Sequence, residues 1–185
     1  MSEKDIIISR PKKNELPEIL DFFEAVLKDT FLTNGLSKMQ DLLQEEIIDK
    51  KRYIMQDFDS NGEKRYFLFA KSENEIIGCM EYGLSNELLK NCTNHAMDDL
   101  YEIGTMFILP KYQKEGISIL LQKQIFKALT EIGETECCFD SGYPIAQKIW
   151  TKRFGKPTFY LKDFWGEGAP HMVWRIDIKK VLETL

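Results

Sequence analysis

A short polar segment near the middle of the chain has the residue types of a phosphate-binding loop. It contains Gln113, Gly116 and Ser118, and an apolar-periodic stretch that predicts a helix follows directly. The first turn of a helix offers backbone N–H groups and the positive end of the helix dipole, and phosphate groups bind there. A glycine lets a ligand approach the backbone because it has no side chain. The predicted phosphate contacts are Gln113, Lys114, Glu115, Gly116, Ile117 and Ser118.

This loop is neither of the two most familiar phosphate motifs. The chain lacks G-x-x-x-x-G-K-[ST], and it also lacks G-x-G-x-x-G. Taken alone, Q-x-x-G-x-S also fits a glycine turn in front of an ordinary core helix, so both interpretations stay open on the loop alone.

The residues around the loop resemble the cofactor motif of the GNAT superfamily of N-acetyltransferases. The matching residues are Ile108, Pro110, Tyr112, Gln113, Gly116 and Ser118. Ser118 departs from the family's usual glycine or alanine, but it is small. The resemblance is strongest over residues 99–155, and the order of elements extends it less specifically to the whole chain.

The resemblance implies acetyl-coenzyme A as cosubstrate and a place for each part of it. The loop amides would hold the pyrophosphate, and the pantetheine arm would lie along Phe107, Ile108 and Leu109. The backbone N–H of Met106 would point at the thioester oxygen and stabilise its developing charge. A bulge near Gly104 would open the sheet for the arm.

Glu102 is the predicted general base, because its position eleven residues before Gln113 resembles that of the base glutamate in histone-acetylating members. Burial beside apolar neighbours would raise its pKa toward the working range. The alternative is a strand carboxylate that faces solvent or pairs with a lysine.

The general acid is harder to place. Many members carry a tyrosine four residues past a small residue, but counting from Ala146 that position is Trp150, which cannot donate a proton in this chemistry. Tyr143 is the predicted acid and Tyr160 the other nearby tyrosine. A buried tyrosine with a bonded hydroxyl is the structural alternative for Tyr143, and solvent could also protonate the thiolate.

Histidines and cysteines indicate neither a metal site nor a redox function. His95 and His171 lack ligand neighbours at metal-binding spacing, so no metal is predicted. Cys137 and Cys138 are adjacent in a predicted strand and point to opposite faces, which favours buried core residues over a nucleophile. The absence of a C-x-x-C pair agrees with a reducing cytoplasm.

The predicted function is transfer of an acetyl group from acetyl-CoA to a primary amine by direct attack in a ternary complex. The resemblance implies an acceptor site shaped by residues 22–39 and 164–171, with Phe31, Asp163 and Trp165 as candidate contacts. The net charge of −5 favours a cationic amine on a small molecule or a protein. Two other functions stay open: a catalytically silent acyl-CoA-binding module with a sensing or scaffolding role, and an unrelated α/β interaction protein.

The apolar periodicity predicts one domain over residues 1–185, of the α/β class and α+β type. Its central sheet is mixed and mostly antiparallel, as in GNAT proteins, and helices flank it. The predicted order is strand, two helices, three strands, helix, strand, helix and two strands. The strands are 6–8, 66–70, 76–82, 100–109, 136–139, 158–163 and 172–178. Helices are predicted from Asn14 as cap, from Ser37, and over 117–132 and 145–154, and residues 84–98 are predicted to be a polar loop.

Composition excludes several other classes of protein. The chain has 185 residues, of which 43% are hydrophobic and 30% charged, and its pI is near 5.2. There is no basic stripe for nucleic acid and no apolar run long enough to cross a membrane. Residues 1–13 do not look like a signal peptide, so a cytoplasmic protein is expected. The resemblance implies a homodimer.

Overall fold

The computed structural model describes residues 6–185, which contain seven strands and six α-helices. The strands are β1 (Ile7–Ser9), β2 (Arg65–Ser72), β3 (Glu75–Leu84), β4 (Tyr101–Ile108), β5 (Glu136–Ser141), β6 (Phe159–Leu161) and β7 (His171–Asp177). The helices are α1 (Leu16–Thr33), α2 (Gln40–Ser60), α3 (Glu87–Cys92), α4 (Ile117–Glu131), α5 (Pro144–Phe154) and α6 (Ile178–Thr184).

The strands form one seven-stranded sheet in the order β1-β2-β3-β4-β5-β7-β6. β4 and β5 run parallel, with Glu102 opposite Cys138, whereas β1 with β2, β5 with β7 and β6 with β7 run antiparallel. The predicted fold class, a mixed and mostly antiparallel sheet flanked by helices, is confirmed.

The chain divides into two compact units. The first unit comprises residues 6–82 and 105–128, and the second comprises 83–104 and 129–185. The prediction of a single domain over residues 1–185 stays a prediction.

The core of the first unit is aromatic. Phe23 of α1 packs against Phe67 of β2 and Phe107 of β4, with ring centroids 6.0 and 6.3 Å apart. The buried residues of α1 recur at intervals of three and four, so a single face of this helix covers the strands. They are Ile19, Phe22, Phe23, Val26, Leu27 and Phe31.

The core of the second unit lies around β5 and β7. Phe139 and Trp174 stack with ring centroids 5.1 Å apart, and Cys138, Leu89 and Val173 form a separate buried cluster. Because β5 is buried on both faces, Cys137 and Cys138 are both core residues although adjacent side chains point to opposite sides.

The prediction of a polar loop over residues 84–98 is wrong, because α3 lies within it. Asn86 caps this helix, since its side-chain oxygen accepts the backbone N–H of Leu89 at 2.9 Å. A six-residue helix is too short to be stable alone, so tertiary contacts must hold it. Leu89 and Cys92 supply them by packing into the second core.

Other element boundaries differ from prediction as well. The second helix begins at Gln40 and not at Ser37. Asn14 does not cap α1 but lies in a 3-10 turn over Lys13–Glu15, after which α1 begins at Leu16. Predicted strand 172–178 ends at Asp177, because this residue caps α6 by accepting the backbone N–H of Lys180 at 3.0 Å.

No helix within residues 6–185 is both long and apolar enough to span a bilayer. The signal-peptide prediction depends partly on residues 1–5, which lie outside the described residues.

Candidate active site

The predicted phosphate loop lies in the first unit and opens α4. Its residues Gln113–Gly116 are exposed, and Ile117 is the first buried residue of the helix. The Gly116 carbonyl accepts the N–H of Ile119 at 2.9 Å, so Gly116 stands at the helix start. The structure therefore places the six predicted contact residues together at an accessible helix N-terminus.

Two residues of this loop have a left-handed backbone conformation. The φ of Lys114 is +67° and that of Gly116 is +83°. The φ of Gly116 lies in the left-handed region that favours glycine, and a Cβ there would meet no atom within 4 Å, so the space beside it is open to a ligand. Left-handed residues in a turn can bring successive N–H groups to one side, and such concave backbone binds anions.

Glu75 anchors the start of the loop. Its Oε2 accepts hydrogen bonds from the Tyr112 hydroxyl at 2.7 Å and from Lys111 Nζ at 2.9 Å. The bonds from Lys111 and then Tyr112 lower the pKa of Glu75, so the carboxyl is ionised at neutral pH. Sequence reasoning missed this anchor, because Glu75 and Tyr112 are 37 positions apart in the chain.

The strand end before the loop is half-buried. Phe107 packs into the aromatic core, and the N–H of Leu109 donates to the Ile77 carbonyl at 3.0 Å. Ile108 lies against Gly78, where a Cβ would come within 2.6 Å of Ile108 Cδ1, so this packing needs glycine at position 78. The structure brings the three predicted arm-lining residues next to the loop, and their contact with the arm stays a prediction.

The predicted distortion of β4 falls one residue later than Gly104. Thr105 has a φ of +46°, whereas Gly104 is not among the residues with positive φ. The Thr105 hydroxyl donates to Glu81 Oε1 at 3.0 Å, and Arg65 donates to Glu81 Oε2 at 2.7 Å. Met106 follows directly, and its sulfur accepts a hydrogen bond from Gln122 Nε2 at 3.4 Å. None of these polar partners was predicted from the sequence.

Glu102 lies in the second unit and is only 6% exposed. Its Oε2 accepts the backbone N–H of Asn86 at 2.8 Å, and its Oε1 accepts the Asn86 side-chain amide at 2.9 Å. The expected burial is therefore confirmed, and the solvent-facing alternative is wrong. The carboxylate also has a structural task, because it holds the residue that caps α3.

Tyr143, the predicted acid, is half-buried in the second unit, directly before α5. Its N–H donates to Ser141 Oγ at 3.2 Å, and its carbonyl accepts the N–H of Gln147 at 2.9 Å. Trp150 is half-buried and packs against Phe139 with ring centroids 5.6 Å apart.

The three candidate acceptor contacts have different surroundings. Phe31 is 1% exposed, so it is a core residue with no surface to offer an acceptor, and this prediction is wrong. Trp165 and Asp163 are exposed, and Asp163 Oδ1 accepts the N–H of Gly168 at 2.7 Å within their loop.

Sequence reasoning also missed a polar triad at the base of that loop. His171 is 2% exposed, and its Nε2 lies 3.1 Å from Asp140 Oδ2. The Trp165 indole N–H donates to His171 Nδ1 at 3.1 Å. Because an indole nitrogen only donates, Nδ1 must accept and the ring proton sits on Nε2, facing Asp140. The sequence shows His171 as isolated because Asp140 is 31 residues away and reaches it through the pairing of β5 with β7.

The cysteines are poor nucleophiles. Burial raises the pKa of the Cys138 thiol to about 12, and it raises that of Cys137 well above its ordinary value. A thiol attacks as the thiolate, so neither cysteine is activated at neutral pH. Within residues 6–185, no three His, Cys, Asp or Glu side chains gather as a metal-holding group.

Comparison with known proteins places the chain in a family. A sequence model of the acetyltransferase (GNAT) family matches residues 36–156. No curated protein sequence matches the chain.

Solved structures share the fold at low sequence identity. A structure from Desulfovibrio desulfuricans assigned to the GNAT family is similar with a TM-score of 0.70 and 14% identity, over 94% of this chain and 99% of that one. The PaiA N-acetyltransferase of Thermoplasma acidophilum, in complex with coenzyme A, is similar with a TM-score of 0.66 and 16% identity. The match covers 96% of this chain and 99% of that one. An N-acetyltransferase from Staphylococcus aureus is similar with a TM-score of 0.64 and 12% identity, over 94% of this chain and 98% of that one.

The family model covers well over half of the chain. The chain therefore belongs to the GNAT family of acetyltransferases.

Proposed function

We propose that this protein is an N-acetyltransferase that transfers an acetyl group from acetyl-CoA to a primary amine in a ternary complex. The loop Gln113–Ser118 carries the proposal, because its residues 113–116 are exposed and form a left-handed turn at the start of a 15-residue helix. These are the properties that a pyrophosphate site needs. The coenzyme A bound to the similar T. acidophilum protein supports the choice of ligand.

Each predicted site residue has one role in this proposal. Acetyl-CoA supplies an activated thioester carbonyl for an amine to attack. The loop holds the phosphates, Phe107–Leu109 line the pantetheine arm, and the Met106 N–H stabilises the charge that develops on the carbonyl oxygen.

Glu102 and Tyr143 are the proposed proton carriers. The Glu102 carboxylate is buried and held by Asn86, and in this proposal it takes a proton from the amine. The Tyr143 hydroxyl returns a proton to the departing thiolate. Direct attack is favoured over an acetyl-enzyme because burial raises the pKa of the Cys137 and Cys138 thiols.

The acceptor we propose is a cationic amine. The net charge of −5 attracts cations to the protein. Similar structures include an aminoglycoside 6'-acetyltransferase, a spermidine N-acetyltransferase chimera and a ribosomal-protein-alanine N-acetyltransferase. An aminoglycoside, spermidine and a peptide with N-terminal alanine are therefore the first acceptors to assay.

The test of cofactor binding is a thermal-shift titration with acetyl-CoA. Ligand at about 100 times its Kd should stabilise the wild type by roughly 2.7 kcal/mol. Gly116→Trp should abolish this shift by filling the phosphate site. Gly35→Trp is a matched control, because Gly35 also has a positive φ, of +75°, and open space around its Cβ position. The Gly35→Trp variant should lose about as much stability as Gly116→Trp but should keep the thermal shift that acetyl-CoA produces. A folded wild type without any shift would overturn the proposal.

Turnover distinguishes the enzyme from a silent binding module. Release of the coenzyme A thiol should accompany acetylation of at least one amine of the panel. Binding of acetyl-CoA with no turnover over a broad amine panel would favour the sensing or scaffolding role instead.

A further inference from the structure

Thr105 holds a backbone conformation that its side chain disfavours. A φ of +46° is an outlier for a β-branched residue, and such strain persists only where the surroundings impose it. The residue is nevertheless buried within β4, one position before Met106. Two separate contacts in the first unit impose the conformation.

The first contact fixes the Thr105 side chain. Its hydroxyl donates to Glu81 Oε1 at 3.0 Å, and Glu81 in turn is held by Arg65, whose NH1 lies 2.7 Å from Oε2. Both charged residues are buried, and the Arg65 guanidinium lies 3.8 Å above the centre of the Tyr53 ring. Glu81 is thus a rigid acceptor, and Thr105 must keep its hydroxyl turned toward it.

The second contact fixes the Thr105 carbonyl. The thiol of Cys79 lies 3.1 Å from this oxygen. Burial raises the pKa of Cys79 well above its ordinary value, so the sulfur carries its proton and donates. The thiol therefore serves as a hydrogen-bond donor to the backbone.

These contacts set the direction of the next N–H. The Thr105 carbonyl and the Met106 N–H belong to one trans peptide group, in which the two bonds point in opposite directions. When Cys79 holds the carbonyl on its own side, the Met106 N–H must point to the other side.

We propose that Thr105, held by Glu81 and Cys79, is a positioning residue that aims the Met106 N–H at the acyl carbonyl of acetyl-CoA. This inference rests on the proposed function, which makes that N–H the donor to the developing oxyanion. The strain at Thr105 is then retained because it orients a donor before the reaction begins.

The test compares Thr105→Val, which deletes the hydroxyl at nearly constant volume, with Thr105→Ser, which restores it. Thr93→Val is the matched control, because Thr93 is also buried and its hydroxyl donates to the Leu89 carbonyl at 2.9 Å. The readout is the ¹³C resonance of acetyl-CoA labelled at the acetyl carbonyl, recorded free and protein-bound. A hydrogen bond to this oxygen moves the resonance downfield.

Wild type, Thr105→Ser and Thr93→Val should show the downfield shift on binding, and Thr105→Val should lose most of it at an unchanged Kd. With an amine that the wild type acetylates, Thr105→Val should lower kcat by about tenfold or more while KM for acetyl-CoA stays constant. Equal carbonyl shifts in all bound variants would overturn this inference and leave the proposed function standing. Failure of the wild type to bind acetyl-CoA would overturn both.

Discussion

The buried carboxylate of Glu102 connects catalysis with local structure. Both of its oxygens accept hydrogen bonds from Asn86, which itself caps α3. A substitution at Glu102 therefore changes stability as well as any proton transfer, and a loss of activity alone does not identify a general base.

Glu102→Gln should lower both stability and turnover. The new amide group must face one of the two Asn86 donors, and an unmatched buried donor costs about 1–3 kcal/mol. Loss of the base should reduce kcat by about 10²-fold or more. Denaturant unfolding and steady-state kinetics on the folded fraction separate the two effects.

Asn86→Ala is the control for that experiment. It removes the cap and one bond to Glu102, at a cost of about 1 kcal/mol, but leaves the carboxylate in place. Its kcat should stay within a few-fold of the wild type. If Asn86→Ala loses as much turnover as Glu102→Gln, Glu102 acts through α3 and is not the base.

The Asp140–His171–Trp165 triad makes a second prediction at the residue scale. Nitrogen NMR at neutral pH should find the His171 ring protonated at Nε2 and unprotonated at Nδ1, because Trp165 donates to Nδ1. His171→Ala should release the indole and increase quenching of Trp165 fluorescence by acrylamide. Asp140→Asn should keep both properties, since its amide oxygen still accepts from Nε2. A proton found on Nδ1 would contradict the assignment.

At the scale of the elements, helices and strands are predicted best from the sequence where turn residues and the apolar pattern indicate the same boundary. The start of α4 combines a glycine, a polar loop and a long apolar face, so its position and exposure follow from the sequence. α3 was missed because its six residues carry too little periodicity, and its stability comes from Glu102 and the second core. The Glu75 anchor and the Glu81–Thr105 contact join residues 24 to 37 positions apart, which no local pattern encodes.

The Glu75 anchor predicts how acetyl-CoA binding depends on pH. Glu75→Gln should weaken binding by about threefold near neutral pH, because an exposed ion pair is worth less than about 1 kcal/mol. The pKa of Glu75 is lowered below 4.5 in the folded protein, so its contribution is complete above 4.5 and is lost as the pH falls through the lowered value. The difference between variant and wild type should be constant from about pH 5.5 to 8 and should vanish in acid.

Glu136→Gln is the matched control for the anchor. Glu136 is also a largely exposed carboxyl whose pKa a basic partner, Arg175, lowers, but it belongs to the second unit. Its loss should leave acetyl-CoA affinity unchanged at every pH. An equal effect of both substitutions would show a general loss of stability and refute the anchor. Calorimetric titration of acetyl-CoA measures both.

At the scale of the whole molecule, the four cysteines report on opening of the fold. All four are buried free thiols. Burial raises the pKa of each one above its ordinary value, to about 12 for Cys138. At pH 8 the folded chain therefore offers almost no thiolate, and a disulfide reagent reacts only with molecules that have opened. The same property predicts that incubation with acetyl-CoA leaves no acetyl group on these four cysteines.

Acetyl-CoA should slow the labelling of Cys79 at pH 8. This thiol lies in the same unit as the phosphate loop, and a ligand that binds only the closed form reduces the open population by 1 + [L]/Kd. At 100 times the Kd, labelling followed by mass spectrometry should slow about 100-fold in the wild type. It should stay unchanged in Gly116→Trp, whose phosphate site is filled. Fast labelling of Cys79 in the folded, ligand-saturated protein would show that its thiol is accessible without opening. The hydrogen bond from Cys79 to Thr105 would then be too weak to hold the Met106 peptide group in place.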